Sequence, residues 1–154
     1  MTNTKPDLNL PFVELKIKLQ NKKEYVWDPL RKQYTRLTPE EFVRQHFINY
    51  LIRYKGYPEG LLANEVCIRQ GNLRRRCDTV LYDRQLQAQM IIEYKAPYVE
   101  IGQETFDQIL RYSMSLKVKW LIVSNGLQHY CCRINENGNY SFEKEVPDYI
   151  NLGT

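Results

Sequence analysis

The 154-residue sequence contains no CxxC spacing among its four cysteines, and its two histidines, His46 and His129, lie far apart. That scarcity argues against a structural zinc site. Cys67, Cys77, Cys131 and Cys132 are expected to be reduced, partly buried thiols. No apolar run approaches the roughly 20 residues of a membrane-spanning helix, and the opening MTNTKPDLNL lacks the basic and apolar regions of a signal peptide. A cytoplasmic protein is expected. There are no internal repeats, no low-complexity tracts and no phosphate-binding loop of the GxxxxGK[ST] type, so no nucleotide-driven motor follows from this chain. Acidic residues are missing from Val43 to Pro58 and again from Arg69 to Cys77, and the second gap holds four arginines. A solvated face explains such gaps as well as an anion-binding one does.

What remains is an ordinary globular composition, 43% hydrophobic and 26% charged with a formal net charge of +4. The length predicts one domain over 1–154, with a core over about 35–145, an N-terminal hairpin over 12–28 and a tail over 147–154. Phe12 to Gln20 alternates, placing Val13, Leu15, Ile17 and Leu19 on one face, and Asn21-Lys22-Lys23 turns the chain into Tyr25-Val26-Trp27. The lysines there are expected to protect an edge strand. Thr38 opens a helix as N-cap, with Pro39 in the first turn and Glu41 placed to close a capping box; Gly56 ends it. Its buried stripe is expected to be Val43, Phe47, Tyr50, Leu51 and Tyr54.

A short strand over Glu65–Gln70 precedes the stretch RRRCDTVLYDRQLQAQMIIEYKAP, Arg74 to Pro97. Two β-branched, aromatic-rich runs joined by the polar link Asp83–Ala88 predict an antiparallel hairpin. Its register sets Asp78 across from Glu93, with one residue of latitude. Glu93 and Lys95, two apart in a strand, point the same way. Two carboxylates and an ammonium on one patch of sheet suit a divalent metal and an activated water. Ion pairing between Glu93 and Lys95 has the same spacing, and the pattern alone does not separate the two. Next come a helix over Gln103–Leu116, with Phe106, Ile109, Leu110 and Ser113 inward and Glu104, Gln108, Arg111 and Tyr112 outward, and the apolar strand Trp120–Val123. Strand, helix, strand implies a parallel crossover and hence a mixed sheet. Asn125-Gly126 predicts a type I′ turn, and Tyr140–Phe142 a last short strand.

This order of elements resembles the core of the PD-(D/E)XK nuclease superfamily, and within it most resembles the N-terminal nuclease domain of type I restriction enzyme R subunits. The residues that carry the resemblance are PEEFVRQ at Pro39 to Gln45, GYP at Gly56 to Pro58, Glu65, RRCD at Arg75 to Asp78, IIEYKAP at Ile91 to Pro97, QILRY at Gln108 to Tyr112 and SNG at Ser124 to Gly126. Cys77 stands where the superfamily motif has proline. The resemblance implies an α/β (α+β) restriction-endonuclease-like fold, with a mixed central sheet flanked by helices and an added N-terminal hairpin. It further implies a Mg²⁺-dependent (or Mn²⁺-dependent) deoxyribonuclease, more an endonuclease than an exonuclease. Asp78, Glu93, Lys95, Glu41, Gln108 and Tyr112 would be catalytic, with Asp78, Glu93 and Glu41 as metal ligands. DNA would be the partner, met by Arg44, Arg74, Arg75, Arg76 and Arg111, with separate motor or specificity subunits or a homodimer to complete the assembly, and no membrane. The competing expectation is a non-catalytic DNA-binding module of the same fold serving a restriction or repair complex.

Overall fold

Asn21 and Lys22 both take positive φ, 53° and 64°, the backbone of a two-residue turn that matches strand twist. In the computed structural model, which describes residues 5–153, they join β1 (Ile17–Gln20) to β2 (Lys23–Asp28). A strand not anticipated from sequence, β3 (Gln33–Arg36), pairs with β2 and makes an antiparallel three-stranded sheet of the expected hairpin. The alternation from Val13 is visible as half-buried Val13 and Leu15, but the ladder begins only near Ile17, and Ile17 and Leu19 stay exposed. Lys16 and Lys18 lie over the rings of Trp27 and Tyr34, so these lysines shield aromatic surface as well as the β1 edge.

Helix α1 (Pro39–Tyr54) starts where Thr38 caps it, its side chain accepting from the Glu41 amide at 3.1 Å, and ends before Gly56 at φ 74°. Val43, Phe47 and Leu51 are buried as expected, joined by Ile48, whereas Tyr50 is half-buried and Tyr54 exposed. The central sheet has six strands in the order β4 (Leu62–Gln70), β5 (Leu73–Tyr82), β6 (Ala88–Tyr94), β7 (Trp120–Ser124), β8 (His129–Ile134), β9 (Tyr140–Glu143). All neighbours are antiparallel except β6 and β7, which run parallel around α2 (Gln103–Ser115). The sheet is mixed, as the crossover required.

Two apolar layers sandwich this sheet. Val43, Phe47 and Leu51 of α1 meet Leu81, Met90, Ile92 and Ile122; Phe106, Ile109 and Leu110 of α2 meet Val80, Ile91, Leu121 and Val123. Consecutive strand residues thus face opposite helices, the period of two at work. Between β4 and β5 the alternation changes side. Leu62 and Leu81 belong to the α1 layer but Ile68 and Cys77 to the α2 layer, although all keep even spacing within their strands. The change falls between the rungs Asn64↔Thr79 and Val66↔Cys77, where Glu65 adopts φ 55°. Beyond it, residues 69–76 project from the sheet as an exposed ribbon.

The Asn125-Gly126 turn differs from expectation. Only Gly126 has positive φ, 87°, and the loop spans four residues, with Asn125 Oδ1 accepting from the amides of Leu127 and Gln128. Asparagine here forms an Asx turn instead of the first half of a type I′ turn. Among the described residues, no helix is long and apolar enough to cross a membrane, and Cys67 is exposed while the other three cysteines are buried and all four are free.

Candidate active site

Strands β5 and β6 pair Thr79↔Ile92, Val80↔Ile91 and Leu81↔Met90, with a shift only near Tyr82. One step further along the same register brings Asp78 level with Glu93, on the α2 side of the sheet. Asp78 Oδ2 accepts the Tyr94 backbone N–H at 2.9 Å, so this carboxylate grips β6 where the regular ladder stops. Burial and the adjacent Asp78 push the Glu93 carboxyl up to about 9, against smaller opposing effects of the Tyr112 phenol and the Lys95 charge. Glu93 Oε1 is buried and, among the described residues, has no hydrogen-bond partner. A native protein rarely leaves such an acceptor orphaned without a ligand or a functional reason.

Lys95 follows β6 directly, its amide donating to the Ser124 carbonyl of β7 at 2.8 Å. Its side chain acts on Glu93 as a nearby charge and not as a close ion pair. Helix α2 supplies Tyr112, whose phenol is pushed above its ordinary range by burial and by Glu93, and whose ring carries the Arg75 guanidinium 4.4 Å from its centre. Gln108, one turn earlier on the same helix, is exposed.

Glu41 takes a different place from the one expected. Its carboxylate accepts from Arg44 Nε and Nη2 at 2.9 and 2.7 Å, from Arg31 Nη2 at 2.6 Å and from Gln45 Nε2 at 3.1 Å. Its four hydrogen bonds come from Arg31, Arg44 and Gln45, and the Thr38 amide donates to the Arg36 carbonyl instead of to this carboxylate. Among the described residues, no group of three or more His, Cys, Asp and Glu side chains is arranged to hold a metal. Arg44 is likewise displaced from the expected DNA face: it is 7% exposed, paired with Glu41 and Glu65, and donates to the Asp78 carbonyl. Three of its five N–H donors are bonded to Glu41 and the Asp78 carbonyl, and Nη1 also lies 2.9 Å from Glu65 Oε1, so little of this guanidinium is left for a phosphate. Arg74, Arg75, Arg76 and Arg111 are exposed, with Arg76 Nε donating to Glu65 Oε2 at 2.8 Å.

Sequence reasoning missed a buried polar chain behind the site. Tyr94 Oη donates to Thr79 Oγ1, Thr79 to Asn64 Oδ1, and Asn64 Nδ2 to Asp28 Oδ2, while Asp28 also binds Arg31. The clue available was polar residues, Asn64 and Thr79, whose neighbours two residues away along the strand, Leu62 and Val66, and Cys77 and Leu81, are apolar.

The donor chemistry of the pair fits a hard divalent cation. Mg²⁺ is commonly held by one or two carboxylates together with water and substrate phosphate oxygens, so two carboxylates, one with an orphaned buried oxygen, suffice for it.

Residues 39–147 match the family model described as type I restriction enzyme R protein N terminus. No curated protein matches the chain. Among solved structures, the chain is similar to a fragment structure assigned to an HsdR subunit of a type I restriction enzyme from Vibrio vulnificus YJ016, at 17% identity and a TM-score of 0.55. The similarity covers 76% of this chain and 25% of that one, so this chain spans about a quarter of that fragment's length.

Proposed function

The chain belongs to the family of type I restriction enzyme R protein N termini, and from that premise we propose that it is a Mg²⁺-dependent DNA nuclease domain working through Asp78, Glu93 and Lys95. The observation that supports this reading best is the buried, partnerless Glu93 Oε1 beside Asp78. Holding two carboxyl groups together inside a protein is costly unless something positive joins them.

Each residue then has a task. Asp78 and Glu93 would hold the cation, which when bound neutralises phosphate charge and lowers the pKa of a coordinated water. Lys95, set beside the pair by its tie to Ser124, would orient the attacking water and offset the charge that builds on the phosphate. Tyr112 would steady Glu93, and Arg75 over its ring would extend the cationic surface toward the DNA backbone. The exposed arginines of the β4–β5 ribbon, with Arg111, would meet flanking phosphates. Gln108 keeps a solvent-facing position from which it would contact substrate only. Separate motor and specificity subunits, or a second copy to cut the other strand, and a cytoplasmic setting belong to the same proposal.

Cleavage of single-stranded, duplex and branched DNA with and without Mg²⁺ tests it. Lys95→Ala is expected to lower the rate at least 100-fold while leaving DNA binding and thermal unfolding near wild type. DNA bound by the wild type but cut under none of these conditions would favour the non-catalytic module.

A further inference from the structure

We propose that Arg44 is a positioning residue for Asp78, and that Glu41 serves the site through Arg44 instead of as a metal ligand. The inference rests on the reading of Asp78 and Glu93 as the metal-binding pair.

The β4–β5 ladder pairs Asn64↔Thr79 and Val66↔Cys77 but has no rung between Glu65 and Asp78, where Glu65 takes φ 55° and the strands change sides. Asp78, whose carboxylate must be placed most accurately, is therefore the residue its neighbouring strand does not hold. Arg44 takes over that duty from α1. Its Nη1 donates to the Asp78 carbonyl at 2.8 Å and lies 2.9 Å from Glu65 Oε1, so one guanidinium nitrogen reaches both sides of the missing rung.

The guanidinium is itself fixed. Glu41 accepts from Nε and Nη2 in a two-pronged arrangement, and the Tyr94 ring lies 5.8 Å from its centre. Such a planar fork admits one orientation, which an ammonium does not reproduce. Glu41 is fixed in turn by Arg31 and Gln45. On its far side the Asp78 carboxylate is held by the Tyr94 amide. Main chain and side chain of Asp78 are thus located from opposite directions, by α1 and by β6. An ion pair needed only for stability would not require its arginine to be aimed at the carbonyl of this residue.

Calorimetric titration of the full chain with Mn²⁺ and Mg²⁺ in the absence of DNA, alongside thermal melting, tests the assignment. Arg44→Lys is expected to weaken metal binding about 10- to 100-fold, the usual effect of disturbing a group that orients a ligand. Glu41→Gln should weaken it to a similar extent, and Glu41→Gln with Arg44→Lys no further than the worse single change, because both act through one contact. Should Arg44→Lys fail to fold, Glu41→Gln with Arg44→Met removes both charges together and leaves neither buried alone; weakened metal binding in that folded variant supports the inference, and wild-type binding overturns it. Loss of metal in Glu41→Gln with wild-type affinity in Arg44→Lys would make Glu41 a ligand and overturn it too. A wild-type chain that binds no metal, or binds it unchanged in Asp78→Asn, overturns the metal reading and this inference with it.

Discussion

Glu93 shows what the candidate site costs the fold. In the metal-free protein its carboxyl titrates at about 9, raised by burial and by Asp78, against an ordinary value of 4.5. Between those two pH values the folded protein binds the proton and the unfolded chain has released it, so the group's stabilising contribution is full below 4.5 and is lost as pH rises through 9. Glu93→Gln, which keeps the shape and cannot ionise, should raise the metal-free melting temperature by several degrees at pH 8 and by little at pH 5. Equal shifts at both pH values would disprove that origin. The register that brings Asp78 level with Glu93 was legible because hairpin pairing is a local rule, set by the polar link at Asp83–Ala88. The direction of Glu41 and Arg44 was not. An i, i+3 pair looks the same in sequence whether it faces solvent or core, and what turns it inward is Arg31, Glu65 and the Asp78 carbonyl, all from other segments.

At the scale of elements, the helices and the crossover followed from capping and period, while the irregular joints did not. The change of side at Glu65 leaves no composition signal, since the same residues write a regular strand. It nevertheless frees the ribbon that carries Arg69, Arg74, Arg75 and Arg76 into solvent. If that ribbon meets phosphates, Arg74→Ala with Arg75→Ala and Arg76→Ala should weaken DNA binding and flatten the dependence of log affinity on log salt by about 3. An unchanged slope would remove the ribbon from the DNA face. The Asn125-Gly126 loop has a sharper constraint. A Cβ on Gly126, at φ 87°, would meet Leu8 Cδ2 at 2.8 Å, while the Gly126 carbonyl accepts the Asn9 amide at the same distance. Gly126→Ala should therefore cost about 1–3 kcal/mol through backbone strain and displacement of the Leu8–Asn9 segment, measured by denaturant unfolding.

At the scale of the whole molecule, buried titrating groups oppose one another and set a pH of greatest stability. His129 Nε2 donates to the Asn9 carbonyl and Nδ1 hydrogen-bonds the Ser124 hydroxyl; burial lowers its pKa, and that of His46, below 6.5. As pH falls through 6.5 the unfolded chain takes up these protons before the folded one, and stability drops. Asp28 and Glu41 add a second loss at lower pH. Burial would raise both, but the bonds from Arg31 and Asn64 to one, and from Arg44, Gln45 and Arg31 to the other, outweigh it and lower them. Their contribution is present above 3.8 and 4.5 and disappears as pH falls through the lowered folded values. Glu93 works in the reverse sense between 4.5 and 9, so its contribution is lost on the alkaline side while those of the histidines and of Asp28 and Glu41 are lost on the acid side. Metal-free melting temperature should accordingly decline as pH rises from 7 to 9, and decline again below about 4.5 as Asp28 and Glu41 are protonated. Saturating Mg²⁺ should lift the alkaline limb selectively, because the cation binds the ionised pair and stabilises only the folded chain. Melting curves from pH 4 to 9 at constant ionic strength measure both effects. An alkaline limb that Mg²⁺ leaves unchanged would mean that the Asp78–Glu93 pair takes no cation.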